Sequence, residues 1–158
     1  MSNLYFAYGS NMSLAQMRSR CPGSVKVGIG VLPGHRVVFP RHSPVRNCGV
    51  AGIVPAAEDV WGVIYRLGGI DLASLDKREG YDPSLPDAAN RYVRREFSIH
   101  VDGEPTAILQ CHVYAAIPQP GVHGPSAEYL STILTGAAEN GLPDGYVKKL
   151  KELSYLNI

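Results

Sequence analysis

The chain has 158 residues, 45% apolar and 18% charged, with a formal net charge of +1. That length suits one domain with a real core, and residues 1–158 read as a single domain. The balanced charge, without a Lys/Arg run, offers nothing to nucleic acid or an acidic membrane surface. No run approaches the roughly 18 apolar residues of a membrane span.

Leu4–Tyr8 reads as a buried strand that stops at Gly9-Ser10-Asn11. The opening MSNLYF lacks the basic segment and apolar core of a signal peptide. Three cysteines, Cys21, Cys48 and Cys111, form no CxxC pair, which suits free thiols in a reducing cytoplasm. Ser13-Leu14-Ala15-Gln16 has capping-box form and opens a short helix to about Arg20, stopped by Pro22-Gly23.

Val25–Leu32 and Arg36–Phe39 are expected as separate strands, split by Pro33-Gly34, with residues 40–49 an exposed loop. Val50–Val54 and Val60–Leu67, rich in β-branched and aromatic residues, follow as strands. Ile70–Glu79 is the second helix, with Leu72 and Leu75 inward and Gly80 in the place of a C-terminal glycine cap. Residues 80–91 form a polar loop with two prolines.

Alternation returns at Val93: Val93, Phe97, Ile99 and Val101 share one face, Arg94, Glu96, Ser98 and His100 the other. Residues 101–105 turn a hairpin, and Ala107–Ala116 is the returning strand. Ser126–Asn140 reads as a helix closed by Gly141, and Pro143 opens a last one with Val147, Leu150 and Leu153 inward. So many closely spaced strands predict an α+β fold, a small mixed, mostly antiparallel β-barrel flanked by helices.

The turn Gly9-Ser10-Asn11 joins a strand to a helix start, where free N–H groups and a partial positive charge suit a carboxylate or phosphate. Gly9 lets a ligand approach the backbone. Taken alone, an ordinary turn is the commoner reading. The motif is not a P-loop, GxGxxG or GxSxG, so Ser10 is not expected to be an esterase nucleophile. Glu79 lies at the negative end of its helix, where burial would raise its pKa toward that of a useful base. The commoner alternative is a solvated carboxylate beside Lys77 and Arg78.

Tyr92 and Tyr114 fall at a strand start and on the returning strand; such tyrosines are usually core or rim, and their hydroxyls can also orient a polar ligand. Tyr129 and Trp61 read as core or interface residues. No metal site is expected. Cys111 and His112 are adjacent and point to opposite faces of a strand, and the histidines form no HxH or HExxH. Buried inert cysteine is a commoner reading than a nucleophile for Cys111 or Cys48.

Together YFAYGSNM, DVWGVIY, LDKREG and AENGLP, in order over residues 4–150, resemble the γ-glutamylcyclotransferase family within the AIG2-like superfamily. The resemblance implies a cofactor-independent enzyme of the cytoplasm that converts a γ-glutamyl amino acid into 5-oxoproline and the free amino acid. It implies that Tyr8, Gly9, Ser10 and Asn11 bind the γ-glutamyl group through backbone amides. It makes Glu79 the general base, and Tyr92 and Tyr114 lining residues. The implied partner is a small γ-glutamyl substrate, with no nucleic acid or membrane, and a homodimer is compatible with the likeness.

One departure is the 80–91 loop, which looks longer than in the animal enzymes. A lid over the pocket, or selection of the leaving group, is its expected role. Alternative readings are a cyclotransferase for γ-glutamylamines or a γ-glutamyl-protected biosynthetic intermediate, a non-catalytic small-ligand-binding domain, and a hydrolase using Ser10 or a cysteine.

Overall fold

The computed structural model describes residues 3–156. Five strands, β1 (Leu4–Ala7), β2 (Val25–Ser43), β3 (Cys48–Arg66), β4 (Tyr92–Val101) and β5 (Ile108–Ala116), close a barrel in the order β1-β3-β2-β4-β5. Among the described residues the pairings are antiparallel apart from β1 with β5, where Tyr5 faces His112. Four helices flank it: α1 (Leu14–Arg20), α2 (Asp71–Glu79), α3 (Ala127–Glu139) and α4 (Asp144–Leu156). This is the α+β barrel that the strand spacing leads one to expect.

Apolar strand residues form the core: Phe6, Val63, Ile64, Ile99 and Val113 are wholly enclosed, the adjacent Val63 and Ile64 because both faces of β3 are covered there. The short β1 strand is squeezed against β3 at Gly62. A Cβ there would lie 2.4 Å from the Ala7 carbonyl oxygen and 2.7 Å from the Phe6 ring. Glycine is needed for this close approach.

The main departure from the sequence reading concerns β2 and β3, each a single strand of 19 residues. Pro33-Gly34 does not end a strand. It is absorbed as an irregularity between Pro33 and His35, with Gly34 at φ 73°, and a further register shift follows between Val38 and Arg41. Bulges bend a strand without breaking it, because the ladder resumes beyond the extra residue. Residues 40–49 are therefore not an exposed loop. The ladder runs on to Ser43 opposite Cys48, and only residues 44–47 turn, with Asn47 left-handed at φ 52°.

Within β3, β1 pairs with Val63–Arg66, so the far half of the β2–β3 hairpin extends past the end of β1 as an arm. The segment after β5 holds this arm. Gln119 donates its backbone N–H to the Pro40 carbonyl at 2.9 Å, and Gly49 donates to the Gly124 carbonyl at 2.8 Å. Arg41 donates to the Ile117 carbonyl at 3.1 Å.

At the other side of β1, Ser10–Met12 form one 3-10 turn, closed by Met12 N–H on the Gly9 carbonyl at 3.1 Å. Ser13 then caps α1 by accepting from the Gln16 N–H at 3.3 Å. The expected capping box is only half formed. The Gln16 amide turns away to donate to Ser10 Oγ at 2.7 Å and Asn11 Oδ1 at 2.9 Å. Helix α3 packs directly on this turn at Gly136, where a Cβ would meet Ser13 N at 2.5 Å. Asn140 donates to the Met12 carbonyl at 2.7 Å, and Glu139 accepts from the Leu14 N–H at 2.7 Å.

Because the neighbour of Gly62 is backbone as well as a ring, relaxation around an added methyl is limited. Gly62→Ala is expected to destabilise the fold by about 3 kcal/mol, the upper end of overpacking costs, in urea unfolding.

Candidate active site

A cavity of about 280 Å³ opens at one end of the barrel. The parallel pairing of β1 with β5 explains its composition. Both strands run toward this end, so Tyr8 follows β1 and Tyr114 lies late in β5. Strand β4 runs the other way and begins here, at Tyr92 opposite Ala116. Tyr8, Gly9, Ser10, Asn11, Glu79, Tyr92 and Tyr114, separated by up to 106 positions in the chain, all line this one space.

The turn is braced from below. Asn11 is buried, donates to the Tyr5 hydroxyl at 3.0 Å, and accepts from Arg20 at 3.1 Å as well as from Gln16. The Tyr65 hydroxyl donates to the Asn11 carbonyl at 2.8 Å. The polar atoms of the Asn11 side chain therefore serve the turn's shape. The N–H groups of Ser10 and Asn11 precede the first closing bond of the turn and have no intrahelical partner.

Glu79 is the last residue of α2. Gly80, at φ 66°, reverses the chain, and Tyr81 N–H closes on the Asp76 carbonyl at 2.8 Å while Gly80 N–H reaches the Lys77 carbonyl. This is a Schellman ending, which needs the left-handed glycine. One turn earlier, the Asp76 carboxylate fastens the helix to the sheet. It accepts from Arg94 Nε at 2.8 Å and Nη2 at 3.1 Å, and from the Tyr114 hydroxyl at 2.6 Å. The end of α2 is thereby tied to β4 and β5, and Glu79 is held at the cavity wall.

Burial raises the Glu79 pKa above its ordinary value, and Arg20, Arg91, Arg46 and Arg78 partly oppose the rise. Among the described residues no cation lies in an ion pair with it. Burial likewise raises Tyr8, Tyr92 and Tyr114, so these phenols stay neutral and can donate. Each is already engaged. Tyr8 donates to the Tyr114 carbonyl at 2.5 Å, Tyr92 to the Ala51 carbonyl at 2.6 Å, and Tyr114 to Asp76. The Tyr92 bond joins the start of β4 to the hairpin arm.

Several lining residues escaped the sequence reading. Tyr129, on α3, accepts from the Ala51 N–H at 2.9 Å, so Ala51 is gripped on both sides of its residue by Tyr92 and Tyr129. Arg20, Arg41, Arg46, Arg78 and Arg91 also line the space, as do residues 42–45 of the arm. Scattered single arginines carry no local signal; only the tertiary fold assembles them.

The 80–91 loop does not cover the cavity as expected. Of its interior, residues 81–90, none lines the space. Asn90 is buried and gathers the loop upon itself, accepting from Asp82 N–H at 2.8 Å and donating to the Pro86 carbonyl at 3.3 Å. Its acids face elsewhere: Asp82 accepts from Ser84, and Asp87 pairs with Arg95. The arm, not this loop, stands beside the pocket.

Ser10 Oγ accepts from Gln16 and from Arg46 at 3.2 Å; no carboxylate or histidine bonds it among the described residues. Burial pushes Cys21 up to about 11 and Cys111 up to about 12, so both remain thiols. The site thus offers one carboxylate and many donors, and no activated serine or thiolate.

The sequence profile of the AIG2-like family matches residues 59–150. The gamma-glutamylcyclotransferase of Bos taurus is 32% identical over 157 residues, covering 96% of this chain and 79% of the bovine protein. The protein of the same name from Homo sapiens is 31% identical, covering 96% and 79%. A solved structure of a gamma-glutamyl cyclotransferase superposes with a TM-score of 0.83 at 30% identity, over 96% of this chain and 87% of that one.

The raised pKa of Glu79 makes stability depend on pH. A folded pKa above the unfolded one gives stability that is complete below the unfolded value and lost as pH rises through the folded value. Glu79→Gln cannot ionise. It is expected to melt above wild type at about pH 7.5, the difference vanishing near pH 4. Melting temperatures across that range check it.

Proposed function

The chain belongs to the γ-glutamylcyclotransferase family, with an AIG2-like fold, and we propose that Glu79 is the base of its reaction. The enzyme is a γ-glutamylcyclotransferase: it closes a γ-glutamyl amino acid into 5-oxoproline and releases the amino acid. The observation that carries the assignment of the base is the placement of Glu79. It is a half-buried carboxylate, without an ion pair among the described residues, facing the same cavity as the Gly9–Asn11 turn.

In this reading the turn holds the glutamyl carboxylate by its backbone N–H groups. The substrate's α-ammonium lies toward Glu79. The Glu79 carboxylate takes a proton from it, and the freed amine attacks the γ-carbonyl carbon. A nitrogen–carbon bond closes the five-membered ring while the carbonyl becomes an oxyanion. Protonated Glu79 then delivers its proton to the departing nitrogen as the old amide bond breaks. Overall two protons leave the attacking nitrogen and two reach the departing one, the second by way of the same carboxylate or water.

Attack within one molecule needs no external nucleophile. Correct folding of the substrate can supply about 7–11 kcal/mol of the barrier. A base held above the ordinary carboxylate range is better matched to an ammonium proton than a solvated one. Tyr92 and Tyr114 serve through ring faces and through the bonds that place Ala51 and Asp76, since their hydroxyl protons are already given away.

The test is release of 5-oxoproline from γ-glutamyl-alanine by wild type and Glu79→Gln. The variant is expected to lose about 10²–10⁴-fold in rate. Wild-type rate is expected to fall as pH drops through the raised Glu79 pKa, where the base becomes protonated. Full activity of the variant would remove Glu79 from the reaction, and glutamate as the product would mean hydrolysis instead.

A further inference from the structure

The cavity carries more positive charge than the glutamyl half of a substrate can use. Arg20, Arg41, Arg46, Arg78 and Arg91 line it against the one carboxylate of Glu79, five cations to one anion, a formal +4. A γ-glutamyl group brings an α-ammonium and an α-carboxylate, which cancel. An anionic leaving group offsets part of that excess; a neutral one offsets none of it. A departing amino acid keeps a carboxylate; a departing amine does not.

Among the five arginines, Arg46 stands apart in geometry. It comes from the tip of the β2–β3 hairpin and reaches back onto the substrate-facing turn. Nη2 donates to Ser10 Oγ at 3.2 Å and to Gln16 Oε1 at 2.9 Å. The guanidinium lies 4.9 Å from the centre of the Tyr129 ring, which fixes its plane. Its Nη1 and Nε make no hydrogen bond among the described residues. By contrast Arg20 is engaged with Asn11 beneath the turn, and Arg41 with the Ile117 carbonyl. A guanidinium oriented by stacking, with open donors, is the group that grips a carboxylate through two parallel bonds.

We propose that Arg46 binds the carboxylate of the departing amino acid and so sets a preference for γ-glutamyl amino acids over γ-glutamylamines. The proposal rests on the cyclotransferase reading of the same cavity. It makes the hairpin tip the specificity element, while the turn and the end of α2 carry the chemistry. Ser10 is then the meeting point of the two halves, since it belongs to the turn and accepts from Arg46.

The experiment compares kcat/KM for γ-glutamyl-alanine and γ-glutamyl-ethylamide, which differ by the leaving-group carboxylate. Wild type is expected to prefer the alanine compound by roughly 10–100-fold, the range of a charge-assisted hydrogen bond, chiefly through KM. Arg46→Ala is expected to erase that preference, falling roughly 10–100-fold further on the alanine compound than on the ethylamide. Arg46→Lys, which keeps the charge without the fork, is expected to restore part of it. Equal losses on both substrates would overturn the proposal, because they would mean that Arg46 serves the glutamyl head or merely shapes the turn. A wild type without preference would overturn it too. No 5-oxoproline from either substrate with wild type would refute the cyclotransferase reading itself.

Discussion

The carboxylate of Asp76 is the constraint on which the site depends. Three donors meet on it, two from Arg94 and one from Tyr114, at the junction of one helix and two strands. It fixes where α2 ends relative to β4 and β5. Through Tyr114 it also reaches the other side of the cavity, because Tyr8 donates to the Tyr114 carbonyl. Arg94 in turn contacts His112 Nδ1 at 3.3 Å, deep in β5. The pair is largely sheltered, with both side chains about one-sixth exposed (17% and 16%). An ion pair so enclosed, with its remaining lone pairs taken, gives geometry more than stability. Here the geometry is that of a helix terminus.

Asp76 and Glu79 make an instructive contrast, one turn apart on the same helix. Asp76 is saturated with donors and serves as an anchor. Glu79 has guanidinium groups around it yet forms no ion pair among the described residues; two of them, Arg20 and Arg46, are turned to Asn11, Gln16 and Ser10. Attraction acting at a distance is outweighed by the loss of hydration, and the net effect on its pKa is upward. A close ion pair would have had the opposite effect and made a weaker base. The bonds that engage Arg20 and Arg46 elsewhere are thus part of what gives the carboxylate its basicity.

Local chemistry announced some of this and not the rest. The strand-turn-helix at residues 4–20, the glycine ending of α2 and the helix α3 rest on contacts within a few residues, and they appear where the pattern puts them. The convergence of Tyr8, Glu79, Tyr92 and Tyr114 follows from strand direction, which spacing alone does not give. The arm is hidden from local sequence signals for a physical reason. Pro33-Gly34 is a turn signal in isolation, but a paired neighbour strand can carry the chain through it as a bulge. Once the arm is read as a loop, Arg46 becomes an ordinary loop cation. Its meaning depends on Tyr129, 83 positions later, and on a hairpin whose tip folds over the turn.

The root of the 80–91 segment has a consequence for how such a protein can vary. Arg91 N–H reaches the Gly80 carbonyl at 3.4 Å, so the excursion between α2 and β4 begins and ends at almost one point. Between those points Asn90 knots the excursion to itself. Lengthening a loop whose ends already meet costs little entropy, and residues can be gained or lost there without moving the strand that follows. The constraint is at the root itself, where residue 80 sits at φ 66°, a left-handed conformation that favours glycine. Lineages are therefore free to elaborate this excursion as a surface feature, and the barrel does not register the change so long as the glycine at its base persists.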